Sequence, residues 1–100
     1  MDARTLTGLD RPTASLPGAD LVERGLKDLA GGVESEASLL VSIGAPRLRR
    51  LGIEVPSPIA DPELRLYRSL ARSDADSAHS RFNALVRRLV SFERAASCAS

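Results

Sequence analysis

The chain has no tryptophan, two phenylalanines and one tyrosine in 100 residues. Its core must therefore be built from Leu, Val and Ala, which favours helices over a β-sandwich rich in aromatic and β-branched residues. The single cysteine, Cys98, excludes an internal disulfide. With one cysteine and one histidine, His79, there is no metal-ligand spacing. The glycine patterns of nucleotide-binding loops and the HExxH pattern of zinc hydrolases are absent as well. No apolar run approaches the roughly 18 residues needed to span a membrane. Met1–Leu16 has no apolar stretch of the kind a secretory leader carries. These absences point to a cytoplasmic protein without cofactor, metal or catalytic residues. The compactness and the Ala/Arg-rich usage suggest a bacterial source.

Lysine is scarce too, since Lys27 is the single lysine among 14 basic residues. The net charge of +1 conceals an uneven distribution. Through Ala45 seven acids face four bases, and from Pro46 onward ten arginines face six acids. Arginine pairs bidentately with carboxylate and phosphate, so an anionic or protein partner is conceivable. A high genomic GC content would give the same bias without functional meaning.

What is present is helical periodicity. At about 100° per residue, Ala78, Phe82, Leu85, Leu89, Phe92 and Ala96 form one stripe, widened by Val86 and Val90. This predicts a long helix from Asp74 to Ala96, capped by Ser73 or Asp74 and serving as the spine of a bundle. Glu93 falls close to the stripe. Either an arginine from another element sits beside it, or it lies near the helix end and reaches water.

Residues 1–19, mixed and aperiodic, read as a flexible tail ended by the Pro17-Gly18 turn signal. The rest, 20–100, reads as one helical domain. Asp20 is the expected cap of a helix with Glu23 in a capping box. Gly25 either weakens that helix or lets another backbone approach. Gly31-Gly32 ends it. From Ser35 to Ile43 apolar residues wrap most of a helix, leaving mainly Ser38 and Ser42 on the polar side. That pattern suits the centre of a bundle. Residues 39–43 also admit a strand, but no second strand exists to pair with it. Pro46 opens a short helix that stops at Gly52, with Ile53 folding back onto it. Residues 20–53 form a helical half, and 54–60 a Pro-rich connector. Asp61-Pro62-Glu63 starts a helix to about Arg72, with Leu64, Leu66, Tyr67, Leu70 and Ala71 on one broad face. Through the turn at 73–76 it pairs with the spine as an antiparallel hairpin, 61–96. The fold class is all-α, a small four- to five-helix bundle.

The candidate surfaces are two. Arg65, Arg68 and Arg72 make a stripe, and Arg47, Arg49 and Arg50 crowd the short helix. Both could meet an anion or a protein, although a charged helix face is most often solvated or paired within the chain. The helix–glycine turn–helix outline over 36–51 resembles a DNA-reading motif in shape alone. Its second helix is short, and Arg50 stands where a buried aliphatic belongs. The spine residues Phe82, Leu85, Val86, Leu89 and Phe92 are either core or an apolar interface with a second copy or another protein. His79 could be oriented by Asp76 or Asn83, without a nucleophile to serve. The reading reached is a non-enzymatic interaction or regulatory protein, antitoxin- or adaptor-like, that binds another protein through helix faces or self-associates as a dimer. The alternative is a nucleic-acid-binding protein using the arginine faces.

Overall fold

A computed structural model describes residues 16–99. These hold five helices: α1 Ala19–Ala30, α2 Glu36–Ile43, α3 Ala45–Arg50, α4 Pro62–Ser73 and α5 Ala78–Ala99. No strand occurs among the described residues, so 39–43 is helix. The expected tail lies outside them up to residue 15. Its last part does not behave as a tail, because Leu16 packs on the core and Ala19 is buried as the first residue of α1.

The eight residues of α2 are the hub. Leu39, Leu40 and Val41 are buried, and α2 packs against each of the other four helices. Its start is fixed by side-chain chemistry. Ser35 Oγ accepts from the Ser38 amide at 3.0 Å, and the Ser35 amide donates to Ser38 Oγ at 2.6 Å. This is a reciprocal capping box with serine in the place usually held by Glu or Gln. Ser35 Oγ also donates to Asp28 Oδ2 at 2.6 Å, tying the start of α2 to the end of α1.

Ser38 and Ser42, expected on a polar side, are buried. A hub enclosed on every side has no solvent face, so its hydroxyls must find partners inside. Ser42 Oγ donates to the Ser38 carbonyl at 2.8 Å and accepts from the Ile59 amide at 3.0 Å. One hydroxyl thereby holds the Pro-rich connector against the hub.

Where α1 meets α2, Gly25 lies against the Ala37 carbonyl; a Cβ there would also come within 2.7 Å of Val41 Cγ1. Of the two roles open to Gly25, close approach of a second backbone is the one the structure uses. The start of α1 differs from expectation. Asp20 does not cap it. The N-cap is Gly18, at φ 77°, and no side chain caps the helix. The cause is tertiary: a Cβ on Gly18 would stand 2.7 Å from the Arg88 carbonyl of α5, so the chain enters α1 by pressing a glycine against that helix. Asp20, inside the first turn, instead faces Arg88 at 3.2 Å.

Both early helices end as the sequence suggests. After α1, Val33 N donates to Asp28 O and Gly32 N to Leu29 O, with Gly32 at φ 74°. After α3, Ile53 N donates to Leu48 O and Gly52 N to Arg49 O, with Gly52 at φ 88°. Each is a Schellman closure with glycine in the left-handed position.

The connector delivers Val55 to the core and reaches α4 at Pro62. Asp61 precedes the helix but does not cap it with its side chain. Its φ of 50° departs from the extended backbone that aims an N-cap side chain at the first-turn amides. On α4, Leu66 and Leu70 are buried, whereas Leu64 and Tyr67 are exposed. The broad apolar face is therefore wider than the core it meets.

Asp74 likewise does not cap the spine. It accepts from the Asp76 amide at 3.1 Å within a turn over 74–77, and α5 begins at Ala78. Phe82 then meets Tyr67 across the hairpin, ring centroids 6.1 Å apart at 59°. Along α5, Leu89 and Phe92 are fully enclosed, while Phe82, Leu85 and Val86 are half-buried against the same core. The five spine residues are core-facing.

Candidate functional site

Part of the charge asymmetry of the sequence goes into joining its two halves. Arg65 of α4 pairs with Glu34 at 3.1 Å. On α5, Arg81 pairs with Glu36 at 3.6 Å and Arg88 with Asp20 at 3.2 Å. Each of these bridges takes its acid from the negative first half and its arginine from the positive second half. All are solvent-exposed pairs, worth about 0–1 kcal/mol each. Their effect is on orientation more than on stability.

The two arginine groups picked out by sequence line different depressions. Arg65, Arg68 and Arg72 lie on α4 around a shallow depression shared with Glu34, Asp61 and Leu64. Arg68 and Arg72 form no ion pair among the described residues. Beside them, Leu64 is 51% and Tyr67 40% exposed. The outer face of α4 thus presents an aliphatic and an aromatic side chain next to two guanidinium groups that no described residue pairs.

The second group divides. Arg49 is turned away, donating from Nη2 to the Val55 carbonyl at 3.0 Å, and so fixes the connector. Arg47 and Arg50 join Leu51, Val90, Glu93, Arg94 and Ser97 around an open pocket of about 460 Å³ between α3 and the end of α5. Glu93 is its unusual member. It is 8% exposed, and Arg47 Nη1 stands 3.8 Å from its Oε1, beyond hydrogen-bonding length. Its Oε2 is buried without a hydrogen-bond partner. The room for that oxygen comes from Gly44, where a Cβ would stand 2.9 Å from Oε2. So the arginine expected beside Glu93 is present, on α3, and Oε2 is enclosed while the residue keeps a small exposed edge at the pocket.

Burial raises the Glu93 pKa above the ordinary 4.5, and Arg47 opposes that rise in part. A carboxyl that binds its proton more tightly folded than unfolded stabilises the fold at low pH. That contribution is complete below the ordinary value and is lost as pH rises through the folded value. Glu93→Met, unbranched and of similar length, removes the ionisable group. It should raise stability at pH 7–8, because it removes the cost of keeping a carboxylate ionised in a largely buried place while leaving the exposed Arg47 to water. Denaturant melts at pH 4 and pH 8 check this: the gain should shrink at the acid end. A variant less stable than wild type at pH 8 would show that the ionised carboxylate is well accommodated.

The remaining candidates are isolated. His79 Nε2 faces Asn83 Nδ2 at 3.2 Å on the exposed side of α5, while the Asp76 amide belongs to the preceding turn. Cys98 is exposed in the last turns of α5. No group of three residues able to hold a metal ion occurs among the described residues. None of the described helices is long and apolar enough to cross a membrane. The helix-turn-helix outline is compressed. Gly44 alone separates α2 from the six-residue α3, against a turn of about three to four residues in that motif. Two of the three arginines on α3 face groups of this chain. Sequence pattern could not reveal the pocket, because it depends on the crossing of α3 with α5; the signal it did carry was the misplaced Glu93.

Compared with known proteins, the chain matches no family model, no curated protein sequence and no solved structure.

Proposed function

We propose that this is a non-enzymatic interaction or regulatory protein, antitoxin- or adaptor-like, and that it binds another protein through the outer face of α4. The observation that carries this reading is the exposure of Leu64 and Tyr67 beside Arg68 and Arg72, which have no ion-pair partner among the described residues. Tyrosine and arginine are the residue types enriched where interfaces concentrate their energy. The partner surface that fits is apolar at its centre and acidic at its rim. A second copy of the chain is the homotypic version of the same reading, and a cytoplasmic setting goes with it.

Nucleic-acid binding is the alternative that the same arginines invite. Glu34 and Asp61 share their depression and would repel a phosphate backbone, which favours the protein reading. The two separate in one experiment. Tagged wild type, Leu64→Asp/Tyr67→Asp and Arg68→Glu/Arg72→Glu are purified from the native cells, with and without nuclease. A stoichiometric protein lost with the apolar pair and indifferent to nuclease supports the proposal. Nuclease-sensitive material lost with the arginine pair, and released steeply by salt, assigns the alternative. Monomeric chain without companion in all three contradicts both. The Arg68→Glu/Arg72→Glu melt should match wild type, and the Leu64→Asp/Tyr67→Asp chain should stay folded while losing about 0.5–1.5 kcal/mol with the Tyr67–Phe82 ring contact.

A further inference from the structure

We propose that the pocket between α3 and the end of α5 binds a small amphiphilic anion, one anionic group on an apolar chain, and that binding is coupled to uptake of one proton by Glu93. The site is separate from the α4 face and does not depend on the function proposed for it.

The charge of the pocket sets the sign of the ligand. Arg47, Arg50 and Arg94 outnumber Glu93 at its lining. Arg50 and Arg94 make no ion pair among the described residues, so their guanidinium groups are available to an anionic head. Leu51 and Val90 supply apolar wall against which a hydrocarbon chain can lie. The lining is mixed, with Leu51 and Val90 set among charged side chains, and the volume falls within the span of about 300–1,000 Å³ usual for small-molecule sites.

Glu93 gives the pocket its proton dependence. Its carboxylate is more than nine-tenths buried, Oε2 has no partner, and the nearest countercharge stands off at 3.8 Å. Such a group is expensive to keep ionised. Gly44 makes the space it occupies, so the carboxyl is accommodated by the backbone rather than caught there by chance. The charged groups facing it are few. Arg47 approaches from α3, and Arg50 of α3 and Arg94 of α5 complete the rim. The neighbours that close on its other side, Gly44 and Leu89, carry no charge. While Glu93 is ionised it holds Arg47 and repels an incoming anion. Once a solvent proton neutralises Glu93, Arg47 is released to the ligand and the repulsion ends. Anion and proton therefore bind together, and the burial that raises the affinity of Glu93 for its proton places the exchange above the ordinary carboxylate value.

The test is calorimetric titration of the full chain with 1-octanesulfonate, below micelle formation, from pH 4.5 to 8. Its sulfonate stays ionised throughout, so any proton linkage belongs to the protein. Sulfate is the chainless control. The expected result is binding of one equivalent that tightens by up to about tenfold per pH unit as pH falls toward the Glu93 pKa, then levels. Sulfate should bind at least tenfold more weakly. Glu93→Gln should bind tightly at every pH with the slope abolished. Arg50→Gln/Arg94→Gln should lose at least tenfold in affinity with an unchanged melt. Absence of saturable octanesulfonate binding, sulfate binding as well as octanesulfonate, or a pH slope that persists in Glu93→Gln would each overturn the proposal.

Discussion

Gly25→Ala should be among the most damaging single-methyl additions in the described domain, costing about 2–4 kcal/mol in a denaturant melt. Taken alone, α1 would gain from it, since alanine exceeds glycine in helix propensity by about 1 kcal/mol. The packing sets the opposite sign. The added Cβ would overlap the Ala37 carbonyl, stand 2.8 Å from the Ala37 carbonyl carbon, and come within 2.7 Å of Val41 Cγ1. A side chain could turn aside, but a helix backbone cannot without moving α2, and α2 touches every other helix. Overpacking typically costs about 1–3 kcal/mol and more where backbone must shift. Gly31→Ala, with no atom nearer than 3.6 Å, is the matched control and should be close to neutral. Equal melts for the two variants would mean that α1 and α2 are not in backbone contact.

Phe92→Ala should cost about 3–5 kcal/mol, the range for emptying a buried aromatic site. Phe92 is wholly enclosed and among the largest fully buried side chains. It also abuts the entry to α1, because a Cβ on Gly18 would stand 3.4 Å from the Cβ of Phe92. Loss of the ring should loosen that entry as well as the core. Small domains have total stabilities of about 5–15 kcal/mol, so the variant should be partly unfolded at 37 °C by circular dichroism. A wild-type melt would place Phe92 outside the core. The same burial makes Phe92→Asp unsuitable for testing an interface, since it would unfold the chain before it disturbed a partner. Leu64 and Tyr67 are the residues for that purpose.

The features legible in the sequence were those set by local chemistry and period. The all-helical class, the central place of 35–43, the glycine-terminated helices and the core stripe of α5 follow from repeat spacing and from what glycine and proline permit. Gly25 was legible as a pair of alternatives, and only the neighbour Ala37 decides between them. The start of α1 was misplaced because Asp20 and Glu23 form a convincing local signal, while the deciding contact is between Gly18 and Arg88, 70 positions away along the chain. Ser38 and Ser42 depart from the helix-wheel expectation for a related reason. A helix wheel assigns polar residues to water, whereas a hub surrounded on all sides gives its serines backbone partners instead. The arginines stand out in the sequence, but their separate roles do not. Nothing local distinguishes Arg49, which holds the connector, from Arg50, which rims a pocket.

The central functional claim rests on the outer face of α4, and Tyr67, the single tyrosine of the chain, reports on it directly. Its rate of nitration by tetranitromethane should be measured in the free chain and in the complex purified from native cells. The account predicts ready modification when free and strong protection in the complex, with the Leu64→Asp chain modified at the free rate throughout. Equal rates for the free and the assembled chain would contradict it and would place the partner on another surface.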